Sequence, residues 1–147
     1  DTALPDLSDE DFGRLCGFAD DYFGQRARSD LAPGLCRVIA LRLSIELDMP
    51  TTDEAFRASC ERWYTDCLAN PVSTDSVVDL CPNIAGTCTA TVAEYEQCVG
   101  DNTSALGVAW SELPSCSEVS VADIPLRLPE AATPASCRSF DDKCPGG

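Results

Sequence analysis

The sequence has no histidine, one lysine (Lys143) and one methionine among its 147 residues. Without histidine, the chain has no Ser-His-Asp or Cys-His catalytic unit, no imidazole metal ligand and no histidine ligation of haem. No Cys-x-x-Cys redox motif is present either. These absences predict a protein with no catalytic residues, no metal ligands and no cofactor.

Glycine-rich phosphate loops and long apolar runs are also missing. Gly13, Gly17 and Gly24 lie inside a predicted helix and have the wrong spacing for a phosphate loop. No run of eighteen apolar residues occurs, so we expect no membrane span. The sequence shows no signal peptide, which predicts a mature or trimmed chain. Asp1 is not the cysteine of a lipoprotein, and a removed upstream anchor stays an open alternative.

Basic residues are few, with ten Lys and Arg against twenty-five Asp and Glu, which gives a net charge of −15. A broad nucleic-acid interface needs a basic face, and anionic membranes repel an acidic surface. We therefore expect no nucleic-acid partner and no binding to anionic membrane surfaces. A solvated acidic surface suits a soluble exported protein.

Cysteine, in contrast, is abundant. The ten cysteines are Cys16, Cys36, Cys60, Cys67, Cys81, Cys88, Cys98, Cys116, Cys137 and Cys144. Zinc sites use Cys-x2-4-Cys pairs, often with histidine, whereas the closest cysteines here are seven positions apart. The even number and this spacing predict structural disulfides in an oxidising compartment, and hence a secreted or cell-surface protein.

Hydrophobic periodicity and capping residues predict an all-α fold, a small disulfide-rich helical bundle with an irregular, Pro-rich C-terminal segment beyond Pro114. No convincing boundary divides residues 1–147, so we predict a single domain. The predicted helices begin after Ser8 and run to about Arg26–Ser29, then cover Leu35–Met49, Thr52–Asn70, a short turn at Ser76–Leu80, Thr91–Val99 and Leu106–Leu113.

Local residue preferences decide three further points of this assignment. Leu41–Asp48 alternates like a strand, and we favour helix because Leu, Arg and Glu are good helix formers and β-branched residues are scarce. Gly100-Asp101-Asn102 is expected to end the helix before it. We expect the tail after Pro114 to be extended, with short turns.

Cysteine spacing restricts the pairing. Seven residues of helix rise about 10.5 Å, whereas bonded cysteines have Cα atoms within about 7 Å. Cys60 and Cys67 therefore cannot bond each other, and both should reach other elements from one helix face. Cys81 and Cys88 lie in a predicted loop, where they are able to close on each other. The remaining connectivity stays open.

Candidate chemistry is limited to carboxylates and aromatic rings. The adjacent acids are Asp20-Asp21, Asp53-Glu54, Asp141-Asp142 and Asp9-Glu10-Asp11, and chance or helix capping explains them better than catalysis. Gly100-Asp101-Asn102-Thr103 offers oxygens for Ca²⁺, although a helix-ending turn is the better interpretation. The aromatic residues Tyr22, Phe23, Phe56, Trp63 and Tyr64 fit either a core or a ligand pocket, and core is favoured.

The run from Leu80 through Cys88-Thr-Ala-Thr-Val-Ala-Glu-Tyr-Glu-Gln-Cys98, followed by Leu113-Pro-Ser-Cys116, resembles cysteine-rich exported proteins and lipoproteins of myxobacteria and related bacteria. The resemblance spans about residues 60–144. It implies an exported helical protein and carries no catalytic residue across.

Together these patterns favour a non-enzymatic, extracytoplasmic structural or protein-interaction domain, whose partner is another protein or a second copy of itself. A secreted carrier that binds a small apolar ligand between helices is the first alternative. A secreted hydrolase that uses two carboxylates is the second, and it requires two acids in one pocket with at least one pKa raised by burial.

Overall fold

The computed structural model describes residues 2–70, 87–124 and 129–145. It confirms the all-α fold class. The α-helices are α1 (Asp9–Ala27), α2 (Ala32–Leu43), α3 (Asp53–Ala69), α4 (Val92–Ser111) and α5 (Ala135–Lys143). Short 3₁₀ turns cover Leu4–Asp6 and Val121–Asp123, and a π-helical turn covers Ser44–Asp48. The turn predicted at Ser76–Leu80 lies outside the described residues.

Helix α2 and its π-helical extension confirm the helical interpretation of Leu41–Asp48. The backbone stays helical through the segment, and Met49 then enters the left-handed region at φ 43°. A non-glycine residue in this region is uncommon, and here it ends the helix just before Pro50. The alternation of apolar and polar residues in Leu41–Asp48 does not indicate a strand. Ala40, Leu41 and Ser44 instead share a buried face at helical spacing.

Helix α4 corrects the prediction of two helices separated at Gly100-Asp101-Asn102. It is one helix of twenty residues, and these three residues lie in its interior. The hydroxyls of Thr103 and Ser104 donate to the carbonyls of Val99 (2.7 Å) and Gly100 (2.9 Å), so their polar groups are satisfied without leaving the helix. A single interior glycine costs only about 1 kcal/mol, which packing of the helix on both sides offsets.

Helix α5 corrects the prediction of an extended tail. Prolines dominate the segment up to Pro134, but none falls within Ala135–Lys143. Pro134 occupies the N-cap in an extended conformation, which a proline adopts readily. Cys137, Phe140 and Cys144 then recur at helical spacing and are all buried. The 3₁₀ turn at Val121–Asp123 agrees with the short turns expected in this region.

The chain divides into two compact units. Of the described residues, the first unit contains 2–25, 87–106 and 131–145, and the second contains 26–70, 107–124 and 129–130. The division falls near the end of α1 and within α4. The single domain predicted for residues 1–147 stays a prediction.

The core of the first unit is built on the inner faces of α1, α4 and α5. Tyr95 and Phe140 pack ring against ring, with centroids 5.8 Å apart. Leu4 joins this core from the N-terminal 3₁₀ turn, and its N–H donates to Ala90 O at 2.9 Å. The other buried members are Leu15, Ala19, Cys88, Ala90, Val99 and Cys144.

The core of the second unit lies among α2, α3 and the segment after α4. Phe56 and Leu41 are fully buried at its centre. Arginines fix the irregular segment: Arg37 donates to Leu113 O (3.0 Å) and Arg57 to Val119 O (3.1 Å). The other buried members are Ala40, Cys60, Leu113, Cys116 and Val119.

Four disulfides lie within the described residues. Cys36–Cys67 and Cys60–Cys116 belong to the second unit, and Cys88–Cys144 and Cys98–Cys137 belong to the first. Cys60 and Cys67 do reach two different elements from α3, as predicted. The prediction that Cys81 and Cys88 are able to close on each other is wrong, because Cys88 bonds Cys144. Residues 87–90 run beside the end of α5, which brings these two cysteines together.

Cys16 is also disulfide-bonded. Cys81 lies outside the described residues. The nine described cysteines are thus all oxidised.

Close packing of α2 against α4 in the second unit gives a testable stability difference between two helical glycines. A Cβ at Gly34 would lie 2.8 Å from Trp110 Cβ, whereas a Cβ at Gly17 would meet nothing within 4 Å. We expect Gly34→Ala to lower the free energy of unfolding by about 1–2 kcal/mol, because Trp110 Cβ is fixed to its backbone. Gly17→Ala should raise it by about 0.5–1 kcal/mol through better helix propensity.

Urea unfolding of both variants, with disulfides intact, checks this pair. Equal stabilisation by the two substitutions would contradict the close approach at Gly34.

Candidate binding groove

An apolar groove of about 270 Å³ lies between α1 and α4 in the first unit. Phe18, Ala19 and Tyr22 line it from α1. Tyr95, Glu96, Val99 and Gly100 line it from α4. Three aromatic rings thus meet one carboxylate in a single open groove.

The rings differ sharply in exposure. Tyr95 forms the floor and is only 3% exposed, Tyr22 is half-buried, and Phe18 at the rim is 58% exposed. The exposed ring of Phe18, beside the half-buried ring of Tyr22, leaves apolar area in contact with water. Gly100 leaves the α4 wall low, since a Cβ there would lie 4.0 Å from the Tyr22 hydroxyl oxygen.

Local capping fixes both helices that form the groove. Ser8 caps α1: its Oγ accepts from Asp11 N–H at 3.1 Å and donates to the Asp11 carboxylate at 2.7 Å. At α4, Thr91 Oγ1 accepts from Glu94 N–H at 3.3 Å, and Glu94 Oε2 accepts from Thr91 N–H at 3.0 Å, which is a capping box. The predicted start of each helix at Ser8 and Thr91 is confirmed.

Lys143 ties α5 to the start of α4. Its ammonium group donates to the Glu94 carboxylate, and this hydrogen bond, with the Thr91 N–H, lowers the pKa of Glu94. The Cys98–Cys137 bridge adds a covalent link between the same two helices. The α4 wall of the groove is thus held at two points.

The surroundings of the groove are strongly acidic. The described residues of the first unit hold eleven carboxylate side chains and three cationic ones. All three cations are engaged: Arg14 with Glu10 and Asp11, Lys143 with Glu94, and Arg138 with the Thr133 carbonyl. Negative charge therefore dominates the unit that contains the groove, and one carboxylate, that of Glu96, lines the groove itself.

A second polar cluster, in the second unit, is centred on Asp48. Asp48 Oδ2 accepts hydrogen bonds from the Ser59 hydroxyl, from Arg62 Nη2 at 2.5 Å and from Trp63 Nε1 at 2.9 Å. Ser59 also bonds the buried Ser44 hydroxyl at 3.0 Å. The guanidinium of Arg62 lies 4.9 Å from the Trp63 ring centroid. This cluster joins the π-helical turn to α3.

The Asp48 cluster predicts a pH dependence. Hydrogen bonds from Ser59, Trp63 and Arg62 lower the pKa of Asp48. A lowered folded-state pKa stabilises the fold above the unfolded value of about 3.9, and this stabilisation is lost as the pH falls through the folded-state pKa. We expect Asp48→Asn to lower the melting temperature at pH 7, and the gap to wild type to narrow below about pH 4.

Thermal melts of both proteins across this pH range check the expectation. Glu61→Gln, at an exposed acid in the middle of α3, is the control and should leave the melting temperature unchanged. A gap between Asp48→Asn and wild type that stays constant down to the lowest pH would contradict a role for the ionised carboxylate.

The predicted acid pairs lie at separate helix positions. Asp9-Glu10-Asp11 fills the first turn of α1, and Asp20-Asp21 is exposed farther along that helix. Asp53 begins α3, where its Oδ1 accepts from Val121 N–H and the Ser120 hydroxyl, both at 2.9 Å, and these bonds lower its pKa. Asp141-Asp142 is exposed on α5. Their arrangement serves capping and tertiary hydrogen bonding.

The Ca²⁺ interpretation of Gly100-Asp101-Asn102-Thr103 is wrong in its geometry, because these residues lie within α4 and form no turn. Asp101 Oδ2 accepts from the Ser136 hydroxyl at 2.6 Å, which links α4 to α5. Its oxygen has a structural partner in place of a metal ion.

The aromatic residues divide between core and groove. Phe56 and Phe23 are buried, as the core interpretation predicts. Trp63 and Tyr64 are half-buried and pack against the core of the second unit. Tyr22, in contrast, lines the groove, so for this residue the pocket interpretation is the better one.

Phe18 and Tyr95 were not among the predicted pocket residues. Phe18 precedes Tyr22 by one helical turn, so the two rings extend the apolar face of α1 beyond the stripe that the core occupies. An apolar face wider than one core requires is the signal that points to a groove.

No membrane span occurs among the described residues, since none of the described helices combines sufficient length with sufficient hydropathy. Comparisons with protein-family models, with curated proteins and with solved structures find no match. The resemblance to exported cysteine-rich bacterial proteins therefore stays a prediction.

Proposed function

We propose that this chain is a secreted or cell-surface, disulfide-stabilised domain that binds another protein through the groove between α1 and α4. The exposed ring of Phe18 is the observation that carries the proposal. Its 58% exposure, next to half-buried Tyr22, leaves apolar area that a partner side chain would remove from water. Aromatic anchors of this kind dominate the energetics of protein interfaces.

Oxidised cysteines support the extracytoplasmic part of the proposal. Disulfides persist in secreted proteins and are rare where glutathione keeps thiols reduced. Four bridges in the described residues are compatible with an extracellular protein. The Cys98–Cys137 bridge also holds the α4 wall of the groove against α5, and a preorganised surface loses less entropy on binding.

The carrier and hydrolase alternatives have weaker support. Ligand pockets usually enclose about 300–1,000 Å³ and cover most of the ligand, whereas this groove holds about 270 Å³ and leaves Phe18 largely in solvent. A two-carboxylate hydrolase needs an acid whose pKa is raised. Among the described carboxylates, the resolved pKa shifts of Asp30, Asp48, Asp53, Glu94 and Glu118 are all downward.

Selection from a displayed random-peptide library on the immobilised, oxidised protein tests the proposal. We expect the selected peptides to converge on one large apolar anchor residue. Phe18→Ala should weaken their binding at least about tenfold, the usual loss at an interface hot spot. The matched control is Leu68→Ala on α3, an exposed apolar residue of the second unit, and it should leave binding unchanged.

Failure to select any convergent peptide, or equal binding by wild type and Phe18→Ala, would overturn the proposed function. Circular dichroism of each variant shows whether it is folded before its binding is compared.

A further inference from the structure

The negative charge around the groove indicates the charge of the segment that binds there. We infer that the α1–α4 groove takes a cationic segment of another protein, in which one large apolar side chain is flanked by Lys or Arg. This inference rests on the proposed function and adds the partner's charge to it.

Glu96 is the first observation. It lines the groove from α4 alongside the rings of Tyr22 and Tyr95, and it is exposed. A partner that buries its apolar anchor against these rings brings its flanking residues close to this carboxylate. A lysine or arginine there would form an ion pair at the edge of the interface, and an acidic residue would be repelled.

The balance of charges in the first unit is the second observation. Its described cations already interact with acids or a backbone carbonyl, as the contacts of Arg14, Lys143 and Arg138 show. Exposed Asp20 and Asp21 follow Phe18 on α1 and add to the negative charge of the unit that contains the groove. This field attracts a cationic segment over about one Debye length, near 8 Å at physiological ionic strength.

The same field argues against a second copy of the chain as the occupant. Two copies would each bring a net charge of −15 to the contact. Like charges facing each other suppress association, and the described cations of the first unit already have partners, so the pairing of two copies groove against groove is disfavoured.

Aromatic rings strengthen the case for cations. A guanidinium or ammonium group is attracted to the face of a tyrosine or phenylalanine ring. Phe18 and Tyr22 offer such faces at the rim of the groove. The apolar anchor and the flanking cation of the partner would therefore both contact aromatic rings of the same groove.

The same peptide selection, read for composition and charge dependence, tests the inference. We expect Lys and Arg to be enriched beside the apolar anchor. For the best selected peptide, Glu96→Gln should weaken binding about two- to fivefold, the range for an exposed ion pair. Glu54→Gln, an exposed acid on α3 in the second unit, is the matched control and should have no effect. Raising the salt concentration should weaken binding to wild type more than binding to Glu96→Gln.

The outcomes separate the inference from the proposed function. Convergent peptides with neutral or acidic flanks, whose binding depends on Phe18 but not on Glu96, would overturn the cationic partner and leave the protein-binding function standing. Native mass spectrometry that finds a dimer dissociated by Phe18→Ala would overturn it in favour of a second copy. Failure of every peptide to bind would overturn both.

Discussion

Replacing both cysteines of the Cys60–Cys116 bridge with alanine lowers the free energy of unfolding by about 4 kcal/mol. The bridge closes a loop with a sequence separation of 56 residues, and the chain-entropy estimate for such a loop gives this value. The loss is large against the roughly 5–15 kcal/mol that stabilises an ordinary domain. Alanine at Cys60, which is fully buried, avoids placing a hydroxyl in the core. Urea unfolding followed by circular dichroism measures the change.

A matched variant removes a bridge that closes a shorter loop. Cys36→Ala with Cys67→Ala removes a bridge of separation 31, for which the same estimate gives a slightly smaller loss. Strong reductant should abolish cooperative melting of the wild type, since every described cysteine is oxidised. A wild-type melting temperature retained under reductant, or in the Cys60/Cys116 variant, would contradict a structural role for the bridges.

Local signals made the helices around the groove predictable. Ser8 and Thr91 lie at the starts of α1 and α4, and each side-chain oxygen accepts a hydrogen bond from a backbone N–H three residues on, as capping rules require. The apolar spacing after each cap is a property of the sequence alone. The starts of these helices could therefore be predicted without knowledge of their neighbours.

Tertiary contacts explain the mistakes. Gly100 does not end α4, because the helix packs on both sides of it and the local preference for a break is worth only about 1 kcal/mol. Cys88 bonds Cys144 because Thr89 N–H donates to Lys143 O at 2.9 Å, a contact between distant parts of the chain. Sequence spacing excludes pairings in a helix, but it does not choose among loops.

The groove shows the same division. Tyr22 could be named from sequence as a ring on one helix face, whereas its neighbours across the groove belong to α4 and follow from packing. Glu96 gave no signal by itself among twenty-five acids. What a sequence supplies is the surplus of apolar residues on α1, and the structure supplies the second wall.

Phe56→Ala lowers the free energy of unfolding by about 3–5 kcal/mol, the range for removing a buried phenylalanine side chain. Phe56 is 0% exposed at the centre of the second-unit core, where Leu41 and Val119 are also fully buried. Alanine there leaves a cavity that the disulfide-bonded surroundings relax into only partly, because Cys60 on the same helix is fixed to Cys116. Calorimetric or urea unfolding of the oxidised variant gives the value.

Phe18→Ala is the control for this substitution, because it removes the same side chain from a position that is 58% exposed. Its loss of stability should stay below about 1 kcal/mol, since little of the ring leaves water on folding. A large loss from Phe18→Ala would mean that the ring supports the fold and would remove the argument that a partner must cover it. A small loss from Phe56→Ala would place the second-unit core elsewhere. The expected contrast separates a phenylalanine that holds the fold together from one that is left for binding.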